Sequence, residues 1–534
     1  MLESLEVLES TALDGYAYEW VVATAHLAAE PESPTNANIV DLDKTQRDPD
    51  GLVRFEADVR LVRPTVKGNG RLLVVVPNRG MTGGVPFSLD GDPALSMVRI
   101  PDPGDGFLLH RGWTIAWCGW QWDVMRDEGY LGVSAPLAGV EPGWMRVEFR
   151  LDAAAPDHPL SDSSPFFRFT DSPTFDVDDP HAVLTARTTP MGEAHVVPRS
   201  SWRFSDTEHV VLEGGFQPFV WYELVYRSTY APVAGVGLLA TRDVAAHLRQ
   251  SYDHALAYGV SQSGRFLRQF LFEGLNLDED GRQVFDGIFA HVASARRGEF
   301  NRRYAQPSLT HPLGPDYGPP YDTSGLLQTQ RSFGGVPKLF LTNSAWEYWR
   351  GDGALVHQDA ETGADLPEDP DARAYLISGT DHMGALSLKE LMPTANPTHI
   401  LDASTILRAL FIRLERWSCD DEAPPPSQVP RIDDGTAVGR ETVLTKFHGV
   451  AKPDLETLPW TPAIDPASTT WPLDLGTARI ALVSDVDASG NEVAGIRLPA
   501  VAVPAAAYTG WNPRLPQPDL PDVLYEFVGS VRCV

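Results

Sequence analysis

The chain has 534 residues, 43% of them hydrophobic, long enough to bury a large core and to hold two or three domains by length alone. Its formal net charge of −29 argues against nucleic acid and against anionic membrane surfaces as partners, because phosphates would be repelled. No apolar run approaches the ~18 residues of a transmembrane helix, and three scattered cysteines (Cys118, Cys419, Cys533) suit neither a disulfide framework nor a zinc site.

The cysteine usage fits a reduced compartment. Met1-Leu2-Glu3-Ser4-Leu5-Glu6 lacks a basic region and a long apolar run, so no signal peptide is expected and the cytoplasm is the expected location.

Residues 1–70 read as a β-rich extension packed on the core, with strand-like stretches at 16–28 and 52–62 around a polar segment holding Pro31 and Pro34. Arg71-Leu72-Leu73-Val74-Val75-Val76 is an apolar, β-branched run suited to a strand covered on both faces. It leaves into Pro77-Asn78-Arg79-Gly80-Met81-Thr82-Gly83-Gly84, where a second oxyanion donor usually sits. Gly80 is the chosen amide; a plain glycine turn is the competing reading. Residues 107–112 read as a helix end with a glycine stop, and 113–122 as another central strand running into an aromatic loop. Trp113 and Trp117 are expected in the core. Trp120 and Trp122, at the strand's end, are expected to line a pocket for a ring-bearing substrate, with core packing as the plainer alternative.

Between about 125 and 225 the pattern turns to Pro, Asp and Ser with short alternating pieces, such as 145–151 and 209–212. This predicts a β-rich insertion, a lid or side wall, within a catalytic domain spanning 71–420. A helix at 237–250 then leads into the run 255–258, a short buried strand. Gly259-Val260-Ser261-Gln262-Ser263-Gly264-Arg265-Phe266 follows, with Leu267, Phe270, Leu271 and Leu275 at helical spacing behind it. Strand, turn and helix in that order are the context of a nucleophile elbow. So sharp a turn requires Gly259 and Ser263 to be small, leaves the Ser261 hydroxyl at the tip, and sets the Gln262 amide at a helix N-terminus, where a developing oxyanion is favoured. The plainer reading is a strand-to-helix turn with a serine cap.

Residues 284–292 form the next strand. The loop Ala295-Arg296-Arg297-Gly298-Glu299-Phe300-Asn301-Arg302-Arg303 is locally basic. Pairing with surrounding carboxylates is its favoured reading, and grasping an anionic substrate the minority one. A serine nucleophile needs a base, and the base a carboxylate to orient it. Glu347 follows the strand at 337–343, and His382 follows the strand at 372–377. Each therefore stands just past a strand end and in the expected order, with room between them for the intervening helices. Asp352 and His357 are the rivals, placed in less regular sequence.

Several of these segments, together with Phe285-Asp286-Gly287, Glu347-Tyr348-Trp349, Gly379-Thr380-Asp381-His382 and the tail Asp485-Val486-Asp487-Ala488-Ser489-Gly490-Asn491-Glu492-Val493-Ala494-Gly495-Ile496-Arg497, resemble the poorly characterised alpha/beta hydrolase domain family. The resemblance runs from about residue 70 to the C-terminus. It implies the α/β-hydrolase fold, a mostly parallel central sheet flanked by helices, and a catalytic set of Ser261, Glu347 and His382. It also implies hydrolysis of a carboxylic ester through an acyl-enzyme, with lactones an open option. Such chemistry calls for no metal or organic cofactor, and a small-molecule ester is the expected partner. Acyl transfer, peptide cleavage on the same residues, or a non-catalytic binding role on the same scaffold remain as alternatives. Residues 421–534 read as a β-rich extension packed on the catalytic domain and bordering the site. In it Asp485 to Asn491 resembles a calcium loop with an incomplete ligand set, so a hairpin turn is expected.

Overall fold

A computed structural model describes residues 1–89, 100–162, 164, 167–310, 313–315, 318–465 and 471–533. Its centre is a nine-stranded sheet. In chain order the strands are β1 (Leu2–Ala12), β2 (Tyr18–Ala29), β3 (Val53–Pro64), β4 (Arg71–Val75), β5 (Thr114–Cys118), β6 (His254–Val260), β7 (Gly287–His291), β8 (Lys338–Ser344) and β9 (Ala372–Ile377). Across the sheet they run β1-β2-β3-β5-β4-β6-β7-β8-β9. The six strands from β5 to β9 in that order pair in parallel, while β1, β2 and β3 join antiparallel. Residues 1–70 therefore extend the central sheet itself through the β3–β5 pairing, rather than lying on it as a separate layer.

The apolar runs of the parallel strands are explained by burial on both sides. Leu72, Val74, Ala255, Ala257, Ile288, Ala290, Leu339 and Leu341 join one core cluster, and the residues alternating with them, Leu73, Val75, Leu256, Tyr258, Phe289 and Phe340, join the other. The first face is covered by α1 (Val236–Arg249), α2 (Gln262–Phe272) and α3 (Thr323–Phe333), through residues such as Leu239, Val244, Phe270 and Leu327. A short helix α4 (Ala345–Arg350) follows β8 directly. The second face is covered by α5 (Ser404–Asp420), whose Leu410, Phe411, Leu414 and Trp417 recur at helical spacing. Parallel strands covered by helices on both faces are the arrangement expected of a continuous hydrophobic run.

The segment after β5 carries two antiparallel sheets. One joins Gly143–Arg150, Trp221–Ser228, Val183–Arg187 and His195–Val196, and the other joins Trp202–Phe204, His209–Phe216 and Ala155–Pro159. The C-terminal stretch adds two-stranded pieces and a hairpin in which Val486 bridges Glu492, with the Asp487 N–H donating to Asn491 O at 2.9 Å. Ile496 pairs with Ile377 at the end of β9, so this stretch is stitched to the sheet beside the point where His382 departs.

Candidate active site

β6 ends at Val260 and α2 begins at Gln262, leaving Ser261 alone at the turn with φ 57° and ψ −116°, outside the basins of an L-residue. Such a conformation costs about 1–3 kcal/mol and persists only when its surroundings dictate it. Here they do. The Ser261 N–H donates to His291 O at 2.8 Å, and its carbonyl accepts from Arg265 N at 2.9 Å. The Ser263 hydroxyl accepts from Val260 N at 2.8 Å and donates to Val260 O at 2.9 Å. A Cβ at Gly259 would stand 2.5 Å from Ser263 O, and one at Gly264 would stand 3.0 Å from the Ala293 methyl. The crowding thus falls on Gly259 and Gly264, and Ser263 serves through its hydroxyl as well as its size.

Nε2 of His382 lies 2.8 Å from Ser261 Oγ, and its Nδ1 lies 2.5 Å from Glu347 Oε1. Glu347 is the third residue of α4 and fully buried. Its other oxygen accepts from the Ser344 N–H at 2.7 Å and the Ser344 hydroxyl at 2.6 Å. A helix N-terminal capping arrangement therefore fixes the carboxylate, and the carboxylate fixes the ring. A carboxylate can only accept, so Nδ1 carries the proton and Nε2 is left to accept from the serine hydroxyl. The rivals lie elsewhere: Asp352 is held by Arg350 at 2.7 and 2.8 Å, and His357 meets the Tyr348 hydroxyl at 3.0 Å. His291, whose carbonyl anchors the elbow, is pushed down to about 4 by burial and is neutral, bonded through Nδ1 to the Thr342 hydroxyl at 2.8 Å.

The loop bearing His382 is fastened on three sides. Asp381 pairs with Lys389 at 2.9 and 3.0 Å, both side chains completely buried, and its Oδ2 also accepts from Gly529 N at 3.0 Å. Lys389 donates further to Gly384 O at 2.5 Å. The Gly379 N–H donates to Glu492 Oε2 at 2.7 Å. Burial pushes the Glu492 carboxyl up to about 7, only partly offset by that bond, and its Oε1 meets no partner among the described residues. The ring of Phe527 completes the surroundings, with its centre 4.7 Å from that of His382 and 5.2 Å from that of Trp346.

The hollow in front of Ser261 spans about 590 Å³ counting its open mouth. Arg79, Arg146, Arg265, Arg296 and Arg350 line it, against Glu299 as the one carboxylate among the described lining residues; Phe527 closes one side. Arg146 arrives on the strand Gly143–Arg150 of the segment after β5. In the basic loop, Arg303 pairs with Asp41 and Arg302 with Glu299, while Arg296 turns to the cleft.

As the first residue of α2, Gln262 has a backbone N–H without an intrahelical acceptor, as an oxyanion donor requires. Its buried side chain ties the elbow to two loops, donating to Pro307 O and accepting from the Arg79 N–H at 3.3 Å. Gly80 is different. It is not a lining residue; its carbonyl accepts from Leu131 N at 2.8 Å, and a Cβ there would stand 2.8 Å from that of Tyr130. With φ 75° it serves the turn, and its neighbour Arg79 is the residue of this loop that reaches the cleft.

The expectation for Trp120 and Trp122 is also corrected. Both are buried, Trp120 at 1% exposure and Trp122 at 8%, and neither lines the cleft. Trp120 donates from Nε1 to Pro77 O at 2.8 Å and packs against Phe266 and Phe300, while Trp122 donates to Ala305 O at 3.2 Å. The physical reason is that their indole N–H groups find backbone acceptors inside, so these rings brace the lining loops from behind. Sequence reasoning missed Arg146, Arg350 and Phe527. Arg350 lay within reach as the last residue of the helix that carries Glu347, but nothing local marks Phe527, which arrives from a distant tail.

A model of a family described as "Alpha/beta hydrolase domain" matches residues 224–526. Among solved structures, the chain is similar to two described as glucuronoyl esterases from Solibacter usitatus. One is 9% identical with a TM-score of 0.25, covering 64% of this chain and 67% of the other. The second is 11% identical with a TM-score of 0.27, covering 70% and 80%. Likeness at that level carries nothing about substrate. A search of curated proteins finds no match. The family model spans more than half of the chain and takes in the elbow, Glu347 and His382: this protein belongs to the alpha/beta hydrolase domain family.

Proposed function

We propose that the protein hydrolyses a carboxylic ester through an acyl-enzyme on Ser261. The observation that carries this reading is the unbroken relay of contacts, 2.8 Å from Ser261 Oγ to His382 Nε2 and 2.5 Å from Nδ1 to Glu347. In it, Oγ attacks the ester carbonyl carbon while its proton passes to Nε2. Glu347 holds the tautomer and offsets the charge of the imidazolium. The tetrahedral oxyanion forms at the Gln262 amide, a donor of the kind worth about 3 kcal/mol. Collapse breaks the bond to the alkoxy oxygen, which departs as alcohol with the proton from Nε2. Water then attacks the acyl-enzyme, gives one proton to Nε2 and releases the acid as Oγ recovers it.

The strain at Ser261 supports the same reading, since it holds the hydroxyl out from the turn at a fixed angle. The test is labelling with a fluorophosphonate. Peptide mapping is expected to find the adduct on Ser261 in the intact protein and none in Ser261→Ala, with aryl-ester turnover lost in parallel. Failure of the intact protein to label or to turn over any ester in a library of varied acyl length would overturn the proposal.

A further inference from the structure

We infer that the cleft takes an ester whose far end carries a carboxylate, and that the guanidinium of Arg79 receives that carboxylate; this rests on the serine-hydrolase reading of Ser261. The case begins with donor accounting. A guanidinium has five N–H groups. In Arg79, Nε donates to Ser308 O at 3.2 Å, Nη1 to Asn78 Oδ1 at 2.9 Å and Nη2 to Leu309 O at 3.0 Å. All three acceptors are neutral. No carboxylate stands within ion-pair range of this guanidinium among the described residues. One N–H remains on each terminal nitrogen, and two N–H groups on a planar guanidinium can meet the two oxygens of one carboxylate.

The other cationic lining residues do not offer the same opening. Arg146 meets Glu223 at 3.0 Å and Glu148 at 3.4 Å, and Arg350 is held twice by Asp352. Arg265 and Arg296 reach the carbonyls of Arg297 and Gly314, and nothing in the proposal depends on what else they touch. The two acids whose charge acts on Arg79 are engaged. Asp123 accepts from the Ser308 N–H at 2.9 Å and its hydroxyl at 2.7 Å, and Asp162 from the Thr310 hydroxyl at 2.5 Å. They attract the guanidinium from further off.

Two further observations set Arg79 apart. Its backbone sits at φ 50°, where glycine or asparagine is at less cost. A long cationic side chain kept on a strained backbone points to a task for that side chain. Burial also pushes its basicity down to about 10, so it is charged at neutral pH yet poorly solvated. A charge in that condition attracts an anion more strongly than one on an open surface. Three anchoring bonds already fix the side chain, so little rotamer freedom remains to be lost on binding.

The test compares monomethyl with dimethyl esters of dicarboxylic acids from succinate to adipate, following methanol release. The wild-type kcat/KM is expected to favour the half-ester by ~10-fold or more for the best chain length, the scale of one charge-assisted fork. That preference should shrink with added salt. In Arg79→Gln the half-ester to diester ratio is expected to fall ~10-fold, and in Arg79→Lys to fall less, because an ammonium supplies charge without the fork. A merely structural arginine would lower both substrates together and leave the ratio alone. A wild-type ratio of one or less, or a ratio unmoved in Arg79→Gln, overturns the inference. If neither ester turns over and Ser261 takes no label, the hydrolase reading falls by itself. Calorimetry of the same dicarboxylates on Ser261→Ala then decides: binding that disappears in Ser261→Ala/Arg79→Gln sustains the carboxylate site, and no binding, or binding indifferent to Arg79, rejects it. A phosphate monoester that competes better than any dicarboxylate also rejects the carboxylate assignment.

Discussion

The two sides of the cleft are built by different means. On one, Ser261, Glu347 and His382 each stand within a few residues of the end of a parallel strand, and the first two have braces close in sequence, Ser263 at the elbow and Ser344 for Glu347. On the other, Arg79, Arg146, Arg296 and Phe527 arrive on segments far apart in the chain, and Arg79, Arg146 and Phe527 each meet residues remote from them. The first side owes its geometry to strand ends and caps that recur wherever a sheet turns into a helix. The second owes it to tertiary contacts between segments distant in the sequence. On the reading proposed above, the regular side carries the reacting groups and the irregular side the groups that would meet the rest of the substrate.

The contrast is broken most directly at Ser261. Ser261→Ala is expected to lower ester kcat/KM by about 10⁴-fold or more while changing the melting temperature little, because only a half-buried hydroxyl and its bond to His382 are lost. Glu347→Gln comes next. It preserves shape, but an amide facing Nδ1 no longer holds the productive tautomer, and kcat is expected to fall about 10³- to 10⁴-fold with KM little changed.

That asymmetry also explains what the sequence could and could not disclose. Every strand of the parallel core announces itself as a run of β-branched or apolar residues, because both faces are covered. Ser261, Glu347 and His382 are legible by their place after those strands, and the structure brings the three together. The strand Leu2–Ala12 is missed because it is largely exposed at the sheet edge, so it carries no strong apolar alternation. Trp120 and Trp122 mislead because aromatic richness at a strand end is the same signal whether the rings face a ligand or a backbone carbonyl. Gly80 misleads for a related reason: a glycine marks a turn, not the direction in which its amide points. Phe527 has no local signal at all.

The fastening of the histidine loop joins the two sides, and its variants test stability rather than chemistry. Lys389→Met strands Asp381 as a buried charge and is expected to cost about 3–5 kcal/mol in urea unfolding. The double variant Asp381→Asn/Lys389→Met is expected to recover much of that, since neither charge remains.

Glu492 supplies a pH signature. Its folded value of about 7 stands above the ordinary 4.5, so folding takes up a proton between those limits. The contribution of this group to stability is therefore fully present below 4.5 and is lost as pH rises through 7. Glu492→Gln keeps the acceptor for Gly379 without an ionisable group. Relative to the wild type it is expected to gain up to about 3 kcal/mol between pH 4.5 and 8, read from melting curves across that range. No pH-dependent difference between the two proteins would count against the buried carboxyl.

The smallest expected effect belongs to Trp120→Phe. Loss of the bond to Pro77 O is expected to cost about 1 kcal/mol. The ratio of kcat/KM for aryl over alkyl esters is expected to stay as it is, since the ring braces the cleft from behind; a large shift in that ratio would return Trp120 to the substrate.

Asp381, the residue before the imidazole, takes one of its hydrogen bonds from an amide 148 positions further along the chain. During synthesis, then, the serine turn and its acid are made well before the amide that fastens the loop of His382. The loop of the proposed base thus owes part of its bracing to backbone contributed from the far end of the sequence rather than to any of the reacting groups.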